Sequence, residues 1–134
     1  MDLNIRLIHS RDFIRTTPEG DLDLKMSKEI ILRLALENAR PGQYDILIDL
    51  RGTTKRKRLS HFDVANLVQV MIDHRESFRS RLAILVEPGE RFDDAKFMEL
   101  YAGNRGFQVG AFNDFEEAMD WLMTSSELTS EEGI

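Results

Sequence analysis

The feature that most constrains this chain is a repeated alternation between short apolar runs and segments whose apolar residues recur every three or four positions. The runs are "YDILIDL" (44–50), "RLAILVEP" (81–88) and "FQVGAF" (107–112). Nearly continuous hydrophobicity over so short a stretch is what a parallel strand needs when helices cover both its faces. Between the runs, Val64, Leu67, Val68 and Met71 fall at i, i+3, i+4 and i+7 and predict a helix from Ser60 to Glu76. Phe92 to Tyr101 reads as a further helix, with Gly103-Asn104-Arg105-Gly106 to stop it. Phe115, Ala118, Met119 and Leu122 give a last apolar face, opened by Asn113 with Glu116 in a capping-box-like arrangement. Strand and helix alternating in this way require right-handed crossovers and a largely parallel sheet.

The N-terminal third departs from that rhythm. Asn4 to Ile8 and Asp12 to Thr16 are short and contain β-branched residues, and Thr17-Pro18-Glu19-Gly20 is a turn signal, so an edge pair of strands is expected. Ser27 is a candidate cap for a helix carrying Ile30, Ile31, Leu34, Ala35 and Asn38, ended by Pro41-Gly42. With 134 residues and 42% hydrophobic residues, the chain can build one core. The expected fold class is therefore α/β: a single domain with a mainly parallel central sheet, an N-terminal edge strand pair and helices on its faces. Residues 1–123 should form the domain, and 124–134 a flexible acidic tail.

Several chemistries lack their residues. There is no cysteine, which removes thiolate nucleophiles, zinc-thiolate sites and disulfides. His9, His61 and His74 are scattered, without a metal-ligand spacing, so neither a metal nor a cofactor is expected. The glycine-rich phosphate loops are absent. Ser60 and His61 are adjacent at a helix start, where neighbouring side chains do not face each other, and no G-x-S-x-G elbow surrounds them; no catalytic residue is assigned and the chain reads as no enzyme. No apolar run approaches the roughly 20 residues of a membrane span, and Met1-Asp2-Leu3-Asn4 opens no signal peptide. A cytoplasmic protein is expected.

The charge is unevenly placed. Although the net charge is −6, Arg51, Lys55, Arg56, Lys57 and Arg58 supply five of 18 cations within eight positions. This run leaves the carboxyl end of the 44–50 strand and enters a helix, which is where open α/β sheets place ligands. It reads either as a solvated connector or as a surface for an anion or an acidic partner. No aromatic residues interleave the cations, which argues against nucleic acid. In the second reading the binding residues are Arg51, Lys55, Arg56, Lys57, Arg58, Ser60, Asp63 and Asn66, with Gln69 further along the helix, and residues 53 to 58 should be mobile without an anion. Ser60 and Asp63 have the S-x-x-D spacing of a helix start, and a phosphate on Ser60 would also be tolerated there. Asp49 ends the strand and can pair with Arg51, either as a carboxylate accepting backbone hydrogen bonds or as part of a ligand site. The aromatic residues of the C-terminal half, Phe92 to Trp121, read as core, or as the lining of an apolar ligand pocket.

Taken in order, "PEGDLDL", "YDILIDLRG", "LSHFDVANL", "RLAILVE", "NRGFQVGAF" and "FNDFEEAMDWL" resemble the SpoIIAA-like proteins, relatives of the STAS domain of anti-sigma-factor antagonists and sulfate transporters. The resemblance spans about Ile5 to Leu122. It implies a noncatalytic regulatory or protein-interaction module whose binding region surrounds its second main helix. In phosphoswitch members of that group, a serine in an Asp-Ser pair at this helix start is phosphorylated by a partner kinase; Leu59 precedes Ser60 here. Kinship with Sec14-type domains implies the alternative, a carrier of a small apolar ligand or lipid.

Overall fold

In the computed structural model, residues 7–9, 13–38, 44–54 and 59–132 are described. Seven strands and four α-helices are assigned among them, in the order β1 (Leu7–His9), β2 (Phe13–Thr16), β3 (Gly20–Asp21), α1 (Leu24–Glu37), β4 (Asp45–Asp49), β5 (Thr53–Thr54), α2 (His61–Asp73), β6 (Arg81–Leu85), α3 (Glu90–Gly103), β7 (Gln108–Phe112) and α4 (Phe115–Glu132). A 3-10 turn, Arg75–Phe78, follows α2. The expected strand starts at Asn4 and Asp12, the Pro41-Gly42 stop and the run Lys55, Arg56, Lys57, Arg58 lie outside the described residues.

The main sheet has the order β1-β2-β4-β6-β7. β1 and β2 pair antiparallel, while β2, β4, β6 and β7 are parallel neighbours. The architecture is thus the expected single-domain α/β fold, with its parallel sheet edged by an antiparallel strand pair.

Alternation along β4 explains why its three central residues, Ile46, Leu47 and Ile48, are all apolar. Ile46 and Ile48 point into the larger core, beneath α1, α2 and α3, with Ile14, Ile84 and Val109. Leu47 points to the other side, where it packs with Ala83, Leu85, Ala118 and Leu122 under α4. Both faces are covered at these positions, so apolar side chains fill them on either side. Phe112 and Trp121 form a tilted ring pair at 5.4 Å on the α4 side.

The helix starts differ from the sequence expectation in two places. α1 begins before Ser27: Asp23 adopts the extended cap conformation and its carboxylate accepts from the Met26 amide at 2.8 Å. Ser27 lies a turn inside the helix and is buried. Both residues are good caps by type, and the choice falls on the one that lets Leu24 begin the helix directly after the β3 strand. α4 is capped by Asp114, not Asn113, with its carboxylate accepting from the Glu117 amide at 3.0 Å. The α4 backbone also stays helical through Glu132, well into the segment expected to be an acidic tail. At the other end of α3, Gly106 takes the positive φ of 94° expected of the glycine stop.

A buried polar clamp fixes the far end of α1. Asn38 donates from Nδ2 to the Ser77 carbonyl at 2.9 Å, and Ser77 Oγ donates to the Ala35 carbonyl at 2.8 Å. Two groups that would be costly to bury alone satisfy the helix end and the 3-10 turn together.

Candidate binding surface at the carboxyl edge of the sheet

Asp49 ends β4 with its side chain buried, and two arginines converge on it. Arg51 donates from Nε to Oδ1 at 3.0 Å and from Nη2 to Oδ2 at 3.0 Å, a bidentate fork, and its own amide donates to Oδ1 at 3.1 Å. Arg15, on the neighbouring β2, adds a bond to Oδ2 at 3.2 Å. Burial alone would raise the Asp49 pKa, but the hydrogen bonds from Arg51 and Arg15 outweigh it and hold the carboxyl below its ordinary value. The Asp49 hydrogen bond in turn raises Arg51. Arg15 also lies over the Phe115 ring of α4, at 5.1 Å. The cluster therefore sits on the α4 side of the sheet.

Immediately beyond, the chain is pinned rather than loose. Thr53 is buried, its amide and hydroxyl both donate to the Leu50 carbonyl at 3.1 and 2.6 Å, and β5 pairs in parallel with β3. Arg91, from the first turn of α3, donates to the Thr53 carbonyl at 2.9 Å, to the Leu50 carbonyl at 3.2 Å and to Thr53 Oγ1. Burial lowers the Arg91 pKa, partly offset by Glu87. The mobility expected from residue 53 onward therefore does not apply to Thr53 and Thr54; residues 55–58 are outside the described set. The grip of Arg91 was invisible in sequence because its partners are backbone carbonyls far along the chain.

Ser60 caps α2 in a reciprocal box: the Asp63 amide donates to Ser60 Oγ at 3.0 Å, and the Ser60 amide donates to Asp63 Oδ2 at 2.9 Å. The capping reading of the S-x-x-D spacing is the one the geometry displays. Along the outer face of α2, opposite the buried stripe Val64, Leu67, Val68 and Met71, stand Phe62, Asn66, Gln69 and Asp73. Asn66 donates to the Phe62 carbonyl at 3.1 Å, and Gln69 to Asp73 at 3.0 Å. Phe62 is 84% exposed, an unusual position for a large aromatic side chain. Sequence periodicity passed over it because it falls off the inward stripe. His61 turns toward α3 and stacks on Phe97 with ring centroids 3.9 Å apart.

The expected site residues are thus divided. Ser60, Asp63 and Asn66 share the first two turns of α2, whereas Arg51 bonds Asp49 on the α4 side of the sheet. Among the described residues no group of three metal-ligating side chains converges, and no helix is long and apolar enough to cross a membrane.

Between α1, α2, α3 and the ends of β4 and β6 lies a cavity of about 80 Å³, partly open to solvent. Ile30, Ile48, Leu67, Ile84 and Met98 form much of its wall, and Leu59 stands in it just ahead of the Ser60 cap. A lipid carrier calls for roughly 300 Å³ or more. The aromatic lining expected for such a pocket is not here either: Phe112 and Trp121 pack under α4, and the wall is aliphatic.

No family model matches the sequence, and no curated protein is similar to it. Solved structures are. An uncharacterized protein from Shewanella loihica with a SpoIIAA-like fold superposes with a TM-score of 0.56 at 20% identity, covering 90% of this chain and 93% of that one. An anti-sigma factor antagonist from Mycobacterium paratuberculosis gives a TM-score of 0.54 at 9% identity, covering 91% and 95%. At such identities the likeness is one of fold, and it extends over nearly the whole of each chain: this protein has a SpoIIAA-like fold.

Proposed function

We propose that this chain is a noncatalytic STAS-like regulatory module that binds a protein partner through the amino-terminal half of α2 and the basic run that leads into it. The observation that carries this reading is the outer face of α2, where Phe62 is exposed beside Asn66 and Gln69 on a helix fixed by the Ser60–Asp63 box. A rigid helix presenting an aromatic side chain within a polar surround matches the composition of protein-binding patches. The cations Lys55, Arg56, Lys57 and Arg58 directly precede this helix in the chain and favour an acidic partner. Likeness of fold to an anti-sigma factor antagonist supports the same class of role.

Arg51 contributes differently from the other cations of that stretch. With its guanidinium committed to Asp49, its role is to hold the strand end from which the loop departs. A carrier function gains no support from a cavity of about 80 Å³.

Affinity purification from the source cell with the wild-type chain, a Lys55, Arg56, Lys57, Arg58→Ala variant and Phe62→Ala tests the proposal. Specific partners recovered by the wild type should be lost or strongly reduced with both variants. An unchanged partner set for both sinks the surface.

A further inference from the structure

The α2 surface lies at the carboxyl edge of the sheet. At the opposite edge, where α2 and α3 end and β6 and β7 begin, Arg75 and Arg105 stand exposed. We infer that these two arginines form a second binding surface, which takes the carboxylates of an acidic protein segment. The inference is independent of the α2 reading, because the 13 residues of that helix, at about 1.5 Å each, put about 20 Å between the Ser60 cap and Arg75.

Aromatic rings hold both side chains in place. The turn from Gly103 to Gly106, closed by the positive φ of Gly106, has Tyr101 before it and Phe107 after it. Arg105 lies over the Tyr101 ring at 3.4 Å and donates from Nη1 to the Tyr101 carbonyl at 3.0 Å. Arg75 reaches across from the 3-10 turn to lie over the Phe107 ring at 4.9 Å, with Nη1 3.5 Å from the Arg105 carbonyl. A guanidinium seated on a ring keeps its full charge and the fork of N–H groups around its rim. Among the described residues, no carboxylate pairs with either arginine. Glu76, beside Arg75, bonds Arg79 at 3.0 Å, and Asp73 accepts from Gln69.

Charge and backbone together decide the occupant. α2 and α3 both end here and present carbonyl groups, which disfavour an anion by about fivefold at most. A hydrogen bond between a guanidinium and a carboxylate contributes at least about tenfold, so the arginines prevail. A phosphate is best held by amide N–H groups, as at a helix amino end, and this edge offers carbonyls instead. The guanidiniums rest on different rings, so each fork takes its own planar carboxylate. Successive acidic side chains on one segment supply both.

The test titrates the full chain, followed through arginine Nε–Hε and backbone amide resonances, with three probes: the blocked peptide Glu-Glu-Gly-Glu-Glu, its counterpart Gln-Gln-Gly-Gln-Gln, and inorganic phosphate. The acidic peptide should shift Arg75, Arg105 and Gly106, and the glutamine peptide should leave them in place. Arg75→Gln combined with Arg105→Gln should weaken the binding read at the Gly106 amide at least about tenfold, with the melting temperature unchanged. Should that chain fail to fold, Arg75→Lys with Arg105→Lys keeps the charge, loses the fork and should still bind more weakly than the wild type. In the Lys55, Arg56, Lys57, Arg58→Ala chain the Arg75 and Arg105 shifts should persist, which separates this surface from the α2 one. Peptide shifts confined to the start of α2 and lost in that chain overturn the inference and leave the α2 surface standing. Equal response to the two peptides, or binding unaltered in the folded double-glutamine chain, overturns it as well. Phosphate binding at these resonances as tightly as the peptide overturns it in favour of a small anion.

Discussion

Asp49 shows at the scale of one residue how an ionised side chain is kept inside this sheet. Its carboxylate accepts four hydrogen bonds, from the Arg51 fork, the Arg51 amide and Arg15. The two arginine side chains are partly exposed, so the cost of desolvating the cluster is smaller than for a wholly buried one. Removing the acceptor charge leaves Arg15 and Arg51 facing each other at the sheet edge. Asp49→Asn should destabilise the fold by about 2–3 kcal/mol at pH 7, below the roughly 3–5 kcal/mol of a fully buried pair. The pH dependence follows from the direction of the shift. Since the folded-state pKa is lowered, ionised Asp49 stabilises the fold fully above its ordinary value of 3.8, and that contribution is lost as pH falls from there through the lower folded value. Denaturant unfolding of both chains between pH 7 and pH 3 measures it: the stability gap should narrow in acid, and a gap independent of pH would contradict the assignment.

α2 carries the argument at the scale of the element. Its inward stripe was legible as a period of three and four, and its start as Ser60 with Asp63, because both signals lie within one turn or one face of a helix. Ser60→Ala should cost about 1 kcal/mol, since it orphans the Asp63 amide at an exposed cap where water replaces part of the bond. Urea unfolding with an unchanged m-value would report this. A loss beyond about 2 kcal/mol would mean that the hydroxyl does more than cap. The starts of α1 and α4 were misplaced for a related reason. Asp23 and Ser27 both have capping side chains, as do Asn113 and Asp114, and the selection depends on where the preceding strand releases the chain.

For the whole molecule, the two cores are unequal. α1, α2 and α3 cover one face of the sheet, while α4 alone covers the other through Ala118 and Leu122, with Trp121 alongside. Among the described side chains, the α4 residues in that packing, Phe115, Ala118, Met119, Trp121 and Leu122, precede residue 124. A chain ending at Met123 should therefore keep its fold, with a melting temperature within a few degrees of the full chain, because the shortened helix retains Ala118, Trp121 and Leu122. Near-UV circular dichroism of the lone Trp121 follows the packing directly. Its collapse in the shortened chain would show that the 124–134 segment belongs to the domain rather than to a tail.

The alternation of strand and helix, the parallel sheet with its antiparallel edge and the inward faces of α2 and α4 were determined by sequence alone, because each rests on the spacing of apolar residues along a few turns of chain. The ordered motifs also pointed to the SpoIIAA-like fold. Contacts between distant segments were decided only in three dimensions. Arg15 reaches Asp49 across 34 positions, and Arg91 grips Leu50 and Thr53 across about 40. The short β3–β5 pair has too few residues to show a period. The cavity, too, is a remainder left where three helices meet two strand ends. Periodicity records which face of an element is dry; it does not record which distant polar group will meet it there, since that depends on how the sheet brings the elements together.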